Sequence, residues 1–255
     1  MLKIEKFVTM SPEQWEIVIE GMRNPKNSWD KIDSYAHSAS GPTAEQSEDY
    51  NKLIGCIYDY EIGDADHSLM MSLAKGGPVH AKYRRMIPVW VTINAPLYWF
   101  KEFDTYKVGT VTNSCSTMHK IHAKEFTEDD FSMEHLIGYD DYDIPDGLKD
   151  DIGTKCHFRY YMLDTIHALN NARDLFLATK DKRYWLQMIQ LLPTSYNQKR
   201  TVMLNYEVLN NIYFSRKNHK LDEWHVFCDW IEELPYSEII VGESPKTTET
   251  NEVTI

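Results

Sequence analysis

Cysteines, long apolar runs and basic residues are all scarce in this sequence. The four cysteines among 255 residues are scattered, with no C-x-x-C pair, which predicts free thiols in a reducing cytoplasm. No stretch approaches about eighteen uninterrupted apolar residues, so no membrane span is predicted. The first residues also lack the long apolar segment of a secretory signal.

Acidic residues outnumber basic ones, 39 to 27, which gives a formal charge of −12. A protein that wraps a duplex needs a basic face to displace counterions, so this charge argues against a nucleic-acid polymer as a partner, and none is predicted. A mononucleotide is not excluded, because one phosphate needs only a few local cations and backbone N–H groups. The candidate cations are Arg84, Arg85, Lys101, Lys107, Lys120, Lys199, Arg200 and Arg216.

Several familiar site motifs are missing. There is no G-x-G-x-x-G, no Walker loop and no G-x-S-x-G, so a flavin, if one binds, is not held by a Rossmann fold. His119 and His122 have the spacing of metal ligands on a helix, but no second pair matches them. Solvated loop histidines are the better interpretation, and no metal site is predicted.

Capping signals and apolar periodicity predict mainly helices. Ser11-Pro12-Glu13-Gln14 has the form of a capping box with proline at the first helical position, and Thr43-Ala44-Glu45-Gln46 is a second box. Apolar residues three or four apart between Phe158 and Phe176 predict the longest helix, over 154–178. Further helices are predicted at 66–75, from 96 onward, and at 182–191, 205–217 and 221–234.

A few β-branched segments predict strands, at 2–8, 88–94 and 200–204. Together the patterns predict an α+β fold in which helices pack on a small mixed or antiparallel sheet. Residues 108–124 and 139–153 are predicted loops. No linker divides the chain, so one domain over 1–242 is predicted, followed by a disordered tail over 243–255.

Two groups of polar residues are ambiguous on spacing alone. Asn211 and Arg216 are five residues apart, about 140° around a helix, and so do not lie on one line. With Asn205, they read most simply as exposed polar side chains of an amphipathic helix. Lys101 and Lys107 flank aromatic residues. They form either a solvated charged face or cations beside an aromatic wall suited to a flavin or uracil ring.

These segments resemble those of the flavin-dependent thymidylate synthases. Ala95-Pro96-Leu97-Tyr98 matches the family's A-P-[aliphatic]-[aromatic] segment, and Thr105-Tyr106-Lys107 stands where the family has R-H-R. Leu192-Pro193 is followed twelve residues later by Asn205, as in the family stretch N-x-R-x-x-x-[NH]-F-x-x-x-R. Asn211 and Arg216 match the later positions of that stretch.

Other positions resemble the family motifs only in part. Glu207 replaces the arginine of the second stretch, and the resemblance implies that its charge repels FAD phosphates. His219 and Trp224 resemble the H-A-Q-W segment with a small shift. Gly76-Gly77-Pro78-Val79-His80 is a shortened form of G-H-x-S-x-x-E-H. The similarity covers about residues 64 to 234.

The resemblance implies an activity and its partners. Family members convert dUMP to dTMP with bound FAD, take the carbon from methylenetetrahydrofolate and the reducing equivalents from NADPH, and are homotetramers with sites between subunits. Two other functions stay open. One is a related flavoenzyme that modifies another pyrimidine nucleotide, for instance by hydroxymethylation; the other is a catalytically silent nucleotide-binding or interaction protein on the same scaffold.

The resemblance also implies the role of individual residues. Arg216 is the catalytic residue, because a cation that polarises a uracil ring carbonyl makes C5 nucleophilic. The predicted substrate-binding residues are Lys101, Glu102, Thr110, Asn113 and Ser116. The predicted cofactor-binding residues are His80, Tyr106, Lys107, Asn205 and Asn211.

Overall fold

The computed structural model describes residues 1–37, 60–137 and 158–242. Eight α-helices lie in these ranges: α1 Pro12–Arg23, α2 Asp64–Lys75, α3 Leu97–Phe103, α4 Phe158–Thr179, α5 Lys182–Leu191, α6 Tyr206–Arg216, α7 Asp222–Glu232 and α8 Glu238–Val241. The same ranges contain six strands: β1 Lys3–Val8, β2 Tyr35–Ala36, β3 Tyr60–Glu61, β4 Pro88–Pro96, β5 Val111–Ser114 and β6 Asn197–Asn205. Short 3-10 helices occur at Asn24–Lys26, Trp29–Lys31, Lys82–Met86 and Glu128–Asp130.

The main sheet has four strands in the order β1-β4-β6-β5, and β2 and β3 form a separate antiparallel pair. Every second residue of strand β4 from Val89 to Ala95 is fully buried, and Thr92 on the opposite face is buried as well. The hydroxyls of Thr92 and Thr201 lie 3.0 Å apart and join β4 to β6. The α+β class predicted from the sequence, with helices on a small sheet, is confirmed.

The first predicted capping box is present. The Ser11 hydroxyl accepts a hydrogen bond from the Gln14 N–H at 3.4 Å, and the Gln14 carboxamide oxygen accepts one from the Ser11 N–H at 2.9 Å. Two backbone donors at the start of α1 are thereby satisfied, as a helix N-terminus requires. The helix continues to Arg23.

The structure corrects one loop prediction. Residues 108–124 include strand β5, whose four residues are all exposed and therefore show no apolar alternation to indicate a strand. Several predictions lie outside the described residues: the second capping box at 43–46, the acidic loop at 139–153, the start of the helix predicted over 154–178, and the tail at 243–255.

The chain forms two compact units, each assembled from separate stretches of sequence. Unit 1 contains residues 1–3, 94–104 and 114–200. Its core is built on the predicted stripe of α4, of which Ile166, Leu169 and Ala172 are buried, whereas Phe158 at the start of the helix is 47% exposed. One cluster of buried core residues in this unit comprises Ile121, Phe126, Phe131, Met133, Ile166, Leu169, Ala172, Met188 and Tyr196.

Unit 2 contains residues 4–93, 105–113 and 201–255, so its core joins early and late parts of the chain. The Tyr236 hydroxyl accepts a hydrogen bond from the Ile62 N–H at 3.0 Å and donates one to the Tyr60 carbonyl at 3.2 Å. The ring of Trp15 packs against both Tyr60 and Tyr236. Within the described ranges, no helix is both long enough and apolar enough to cross a bilayer.

A buried carboxylate fixes the entry to α2 in unit 2. Asp66 is fully buried and accepts hydrogen bonds from the Arg23 Nε, from the backbone N–H groups of Asp33 and Ser34 at 3.0 Å each, and from the Ser34 hydroxyl at 2.7 Å. Arg23 is only 3% exposed. Four donors around one buried charge meet the requirement that a buried ion be paired and hydrogen-bonded.

Candidate functional site

Arg216 lies at the C-terminal end of α6, within unit 2, and is held by two aromatic residues. Its Nε donates a 2.8 Å hydrogen bond to the Tyr106 hydroxyl, and its guanidinium carbon lies 4.8 Å from the centre of the Trp224 ring. The same carbon is 5.6 Å from the Tyr106 ring. With His219, these residues form what we call the Arg216 cluster: Tyr106, Arg216, His219 and Trp224.

The short connection between α6 and α7 positions the rest of the cluster. The His219 N–H donates to the Arg216 carbonyl at 2.9 Å, and its Nδ1 accepts from the Leu221 N–H at 3.1 Å. Because Nδ1 accepts, the neutral imidazole carries its proton on Nε2. Trp224, fully buried in the first turn of α7, makes edge-to-face contacts with Tyr106 and His219, each at 6.2 Å between ring centres.

This arrangement fixes a positive charge in a defined orientation. A guanidinium above a tryptophan face is stabilised by about 0.5–2 kcal/mol, and the hydrogen bond to Tyr106 restricts its rotation. Arginine presents a planar fork of donors that matches carbonyl, carboxylate and phosphate oxygens. The cluster can therefore orient an electronegative ligand atom or stabilise developing negative charge.

A tight turn in the same unit brings two more predicted residues near the start of α6. The Thr110 N–H donates to the Lys107 carbonyl at 3.3 Å. Gly109 has a φ of +80°, and an added Cβ there would lie 3.0 Å from the Asn205 Nδ2. The Thr110 hydroxyl oxygen is buried and has no hydrogen-bond partner within the described part of the chain.

Asn205 is the N-cap residue of α6, because its side-chain oxygen accepts a 3.1 Å hydrogen bond from the Val208 N–H. This is the usual role of asparagine at a helix N-terminus. Its amide nitrogen faces the turn at Gly109. The predicted cofactor role of Asn205 would therefore fall to that nitrogen.

Glu207 is not an isolated negative charge. Its Oε2 lies 3.7 Å from the Nη1 of Arg84, a residue only 6% exposed. The repulsion of phosphates expected from the sequence is therefore reduced by a buried guanidinium from the 3-10 helix Lys82–Met86. Arg84, one of the candidate phosphate-binding cations, is therefore paired with Glu207.

The remaining predicted residues of unit 2 lie outside the Arg216 cluster. Asn211 is exposed and accepts a 3.5 Å hydrogen bond from the Ser215 hydroxyl, one turn further along α6. His80 is also exposed, and its ring lies against Gly76, where an added Cβ would be 3.0 Å from the His80 Cδ2. Two further predicted residues are exposed: Lys107 and Asn113.

Three predicted substrate-binding residues lie in unit 1. Lys101 is exposed and Glu102 is half-buried, both on α3. The Ser116 hydroxyl accepts hydrogen bonds from the N–H groups of Met118 at 3.4 Å and Lys120 at 3.3 Å, so it caps a local turn. In this conformation Ser116 stabilises the backbone, whatever else it binds.

Arg200, also in unit 1, is engaged by its own neighbours. Its Nε donates to the Gln198 carboxamide oxygen at 2.8 Å, its Nη1 donates to the Asp104 carboxylate at 2.6 Å, and its guanidinium carbon is 3.8 Å from the centre of the Phe100 ring. Lys199, the adjacent residue on β6, is exposed. Of these two candidate cations, Lys199 is the one with an exposed side chain.

Sequence reasoning paired Arg216 with a uracil ring but did not assign the residues that hold it. Trp224 and His219 were visible only as a shifted H-A-Q-W segment, and Trp224 is in addition a fully buried core residue. The partnership of Arg84 with Glu207 spans more than a hundred residues and has no local signal. Among the described residues, no group of three His, Cys, Asp or Glu side chains could hold a metal ion.

Comparison with solved structures identifies the fold as that of the flavin-dependent thymidylate synthases. Two structures of thymidylate synthase X from Helicobacter pylori, each with FAD and dUMP, match with TM-scores of 0.54 and 0.53 at 13% identity. The matches cover 94% and 96% of this chain and 97% and 98% of those chains. The resemblance seen in the sequence motifs is confirmed at the level of the fold.

A second enzyme shares the fold. The UMP/dUMP methylase PolB from Streptomyces cacaoi, bound with 5-Br UMP or 5-Br dUMP, matches with TM-scores of 0.50 and 0.52. Identity is 10% and 12%, and each match covers 91% of this chain and 87% of that chain. No family model matches the sequence, and no curated protein matches it. The chain is therefore a divergent representative of this fold.

Proposed function

We propose that the protein is an FAD-dependent thymidylate synthase that converts dUMP to dTMP, with methylenetetrahydrofolate as carbon donor and NADPH as reductant. The observation that carries the proposal is the fixed guanidinium of Arg216 against Tyr106 and Trp224, on a fold shared with thymidylate synthase X. The role assigned to Arg216 from the sequence needs a cation of fixed orientation, and the cluster supplies one.

The residues present fit a nucleotide ligand at three points. The buried hydroxyl oxygen of Thr110 lacks a partner that a ligand polar group would supply. The exposed Lys107 offers a cation for a phosphate. The charge of Glu207 is paired with Arg84, which reduces its repulsion of a phosphate. We infer that Thr110 and Lys107 contact the nucleotides and that the amide nitrogen of Asn205 lies beside them.

Bound FAD, once reduced, would supply the hydride for this chemistry. The chain's own contribution is electrostatic. Arg216 would donate hydrogen bonds to a ring carbonyl of the uracil and stabilise negative charge there, which raises electron density at C5. Tyr106 and Trp224 are positioning residues, because they hold the guanidinium. Lysine at 107 provides a point charge in place of an arginine fork, so we expect phosphate binding to depend on salt.

The test combines a spectrum with a turnover assay. Freshly purified protein should show the visible absorbance of bound flavin, and it should release tritium from dUMP labelled at C5 when given NADPH and methylenetetrahydrofolate. Arg216→Ala should lower kcat about 10²–10³-fold, as the loss of one charge-stabilising donor does, while the flavin spectrum stays unchanged.

Lys217→Ala is the matched control, since Lys217 is the next residue, carries the same charge and is exposed. It should keep full turnover. Equal turnover by Arg216→Ala and Lys217→Ala would contradict the assignment of Arg216. Protein without flavin and without turnover would instead support a catalytically silent nucleotide-binding or interaction protein.

A second candidate function is methylation or hydroxymethylation of another pyrimidine nucleotide. The TM-scores for PolB and thymidylate synthase X are similar, so the likeness of fold does not favour one of these two activities over the other. Mass spectrometry of the products from dUMP, UMP and dCMP, assayed side by side, separates the two, because turnover of dUMP alone rules the second candidate out. We also propose a homotetramer, which analytical ultracentrifugation would measure.

A further inference from the structure

Every polar group of the Arg216 cluster presents a hydrogen-bond donor. The guanidinium of Arg216 has five N–H donors and no acceptor, and the indole of Trp224 also carries only a donor. The Nδ1 of His219 accepts from the Leu221 N–H at 3.1 Å, so the neutral imidazole offers its Nε2–H. The Tyr106 hydroxyl oxygen accepts a 2.8 Å hydrogen bond from the Arg216 Nε, which leaves its own proton to be donated. A ligand that fits this cluster must present acceptors to it.

The Tyr106 hydroxyl has no acceptor for its proton among the residues that the structure describes. Its oxygen is engaged by Arg216, and its ring contacts the Trp224 ring at 6.2 Å between centres and the Arg216 guanidinium carbon at 5.6 Å. The side chain is half-buried, so it is accessible in part. A hydroxyl whose oxygen already accepts from a cation has its O–H bond left for a ligand.

The Arg216 guanidinium and the Tyr106 hydroxyl can bind the same ligand atom. The Nε–H bond of a guanidinium and the nearer Nη–H bond run side by side, so arginine forms paired hydrogen bonds with two neighbouring oxygens. Here the Tyr106 oxygen takes the Nε position of such a pair. A ligand oxygen at the Nη position would lie beside the Tyr106 oxygen, at the separation of an O–H···O hydrogen bond. That oxygen would accept from both residues.

The identity of the ligand oxygen follows from the proposed function, on which this inference rests. In uracil, charge that develops at C5 is delocalised through the neighbouring C4 onto O4, whereas the carbon that carries O2 is not next to C5. Donors fixed at O4 therefore stabilise that charge. Cytosine has an amino group at C4, and its N–H bonds would face the N–H and O–H groups of the cluster. Donors left without acceptors make this mismatch unfavourable.

We propose that the Tyr106 hydroxyl donates a hydrogen bond to uracil O4 beside Arg216, and that this pair of donors selects uracil over cytosine. Tyr106 thus contacts the nucleotide directly, in addition to holding the guanidinium. The selection is expressed in binding as well as in turnover, because both donors contact the base before charge develops at C5.

The test compares nucleotides by isothermal titration calorimetry on the full-length protein in the presence of FAD. The wild type should bind dUMP at least about a hundredfold more tightly than dCMP. It should bind 4-thio-dUMP at least about tenfold more weakly than dUMP, because sulfur is a weak acceptor for the two donors. It should bind 2-thio-dUMP and dUMP with equal affinity, since the proposed contact is at O4.

Two variants test the residue. Tyr106→Phe removes the hydroxyl and keeps the ring that packs against Trp224, so the fold should be retained. It should weaken dUMP binding about fivefold and make the difference between dUMP and 4-thio-dUMP at least about threefold smaller, because the lost donor and the lost acceptor belong to one hydrogen bond. Tyr213→Phe is the matched control. The Tyr213 hydroxyl, also on α6, donates to the Glu232 carboxylate at 2.6 Å, so its loss should leave every affinity ratio unchanged.

The outcomes separate this inference from the proposed function. If the wild type binds dUMP and dCMP equally well, or loses as much affinity with 2-thio-dUMP as with 4-thio-dUMP, the assignment to O4 is wrong while the proposed function stands. Affinity ratios in Tyr106→Phe equal to those of the wild type would show that Tyr106 holds Arg216 without contacting the base. If the wild type binds neither dUMP nor its analogues, the proposed function fails, and this inference fails with it.

Discussion

The buried carboxylate of Asp66 offers the sharpest test of how unit 2 is stabilised. We expect Asp66→Ala to lower the free energy of unfolding more than Arg23→Met does, although the two residues form one ion pair. Removing Asp66 leaves a 3% exposed guanidinium without its carboxylate and removes the acceptor from two backbone N–H groups and the Ser34 hydroxyl. Removing Arg23 leaves the carboxylate with those three donors.

The magnitudes follow from these partners. Breaking a buried ion pair so that one charge stays uncompensated costs about 3–5 kcal/mol, which we assign to Asp66→Ala. Loss of one charged hydrogen bond from a carboxylate that keeps three others costs about 1.5–3 kcal/mol, which we assign to Arg23→Met. The predicted difference is therefore about 2 kcal/mol.

Urea denaturation monitored by circular dichroism measures both values, and unchanged m-values would confirm that the variants alter the native state. Asp174→Ala is the matched control. This carboxylate belongs to an ion pair in which it is 70% exposed, so its loss should change stability by less than about 1 kcal/mol. If Arg23→Met proves as destabilising as Asp66→Ala, the backbone donors contribute little, and the reasoning is wrong.

Two further predictions concern single residues. Burial raises the pKa of the Cys228 thiol from 9.0 to about 12, so the unfolded chain ionises first and stability should fall between about pH 9 and pH 12. Urea denaturation at a series of pH values measures the free energy of unfolding against pH. Cys228→Ala should reduce the slope of its fall by up to about 1.4 kcal/mol per pH unit, whereas Cys115→Ala, at an exposed thiol, should leave the slope unchanged. Gly109→Ala should destabilise by about 1–2 kcal/mol, because of its positive φ and the 3.0 Å approach of a Cβ to Asn205. Thermal melts of both variants should show a smaller cost for Gly77→Ala, because Gly77 has a φ of +85° but open space around it. An equal cost would mean that the contact at Gly109 is irrelevant.

Local signals predicted most of the described helices. The box at Ser11 and Gln14 is satisfied by short-range bonds, so its sequence pattern is sufficient to place α1. The apolar spacing that includes Ile166 and Leu169 likewise predicts which face of α4 is buried, because one face of a helix repeats every three or four residues. Strand β5 carried no such signal, since its side chains are exposed and it is defined by pairing with β6.

The candidate site was predictable only in part. Arg216 and Tyr106 were named from motif order, and they are hydrogen-bonded to each other although 110 residues separate them. Spacing within α6 alone favoured an exposed polar residue at 216. The charge environment of Glu207 could not be predicted, because Arg84 comes from a distant 3-10 helix whose placement is set by tertiary packing.

The segmented construction of the two units has a consequence for synthesis. The chain passes between the units five times, and the bonds of Tyr236 to Tyr60 and Ile62 close unit 2 over more than 170 residues. Unit 1 has all its segments once residue 200 has left the ribosome, whereas unit 2 still lacks Tyr236. The unit whose first helix is translated earliest is therefore completed last, and its apolar surfaces stay exposed for most of translation.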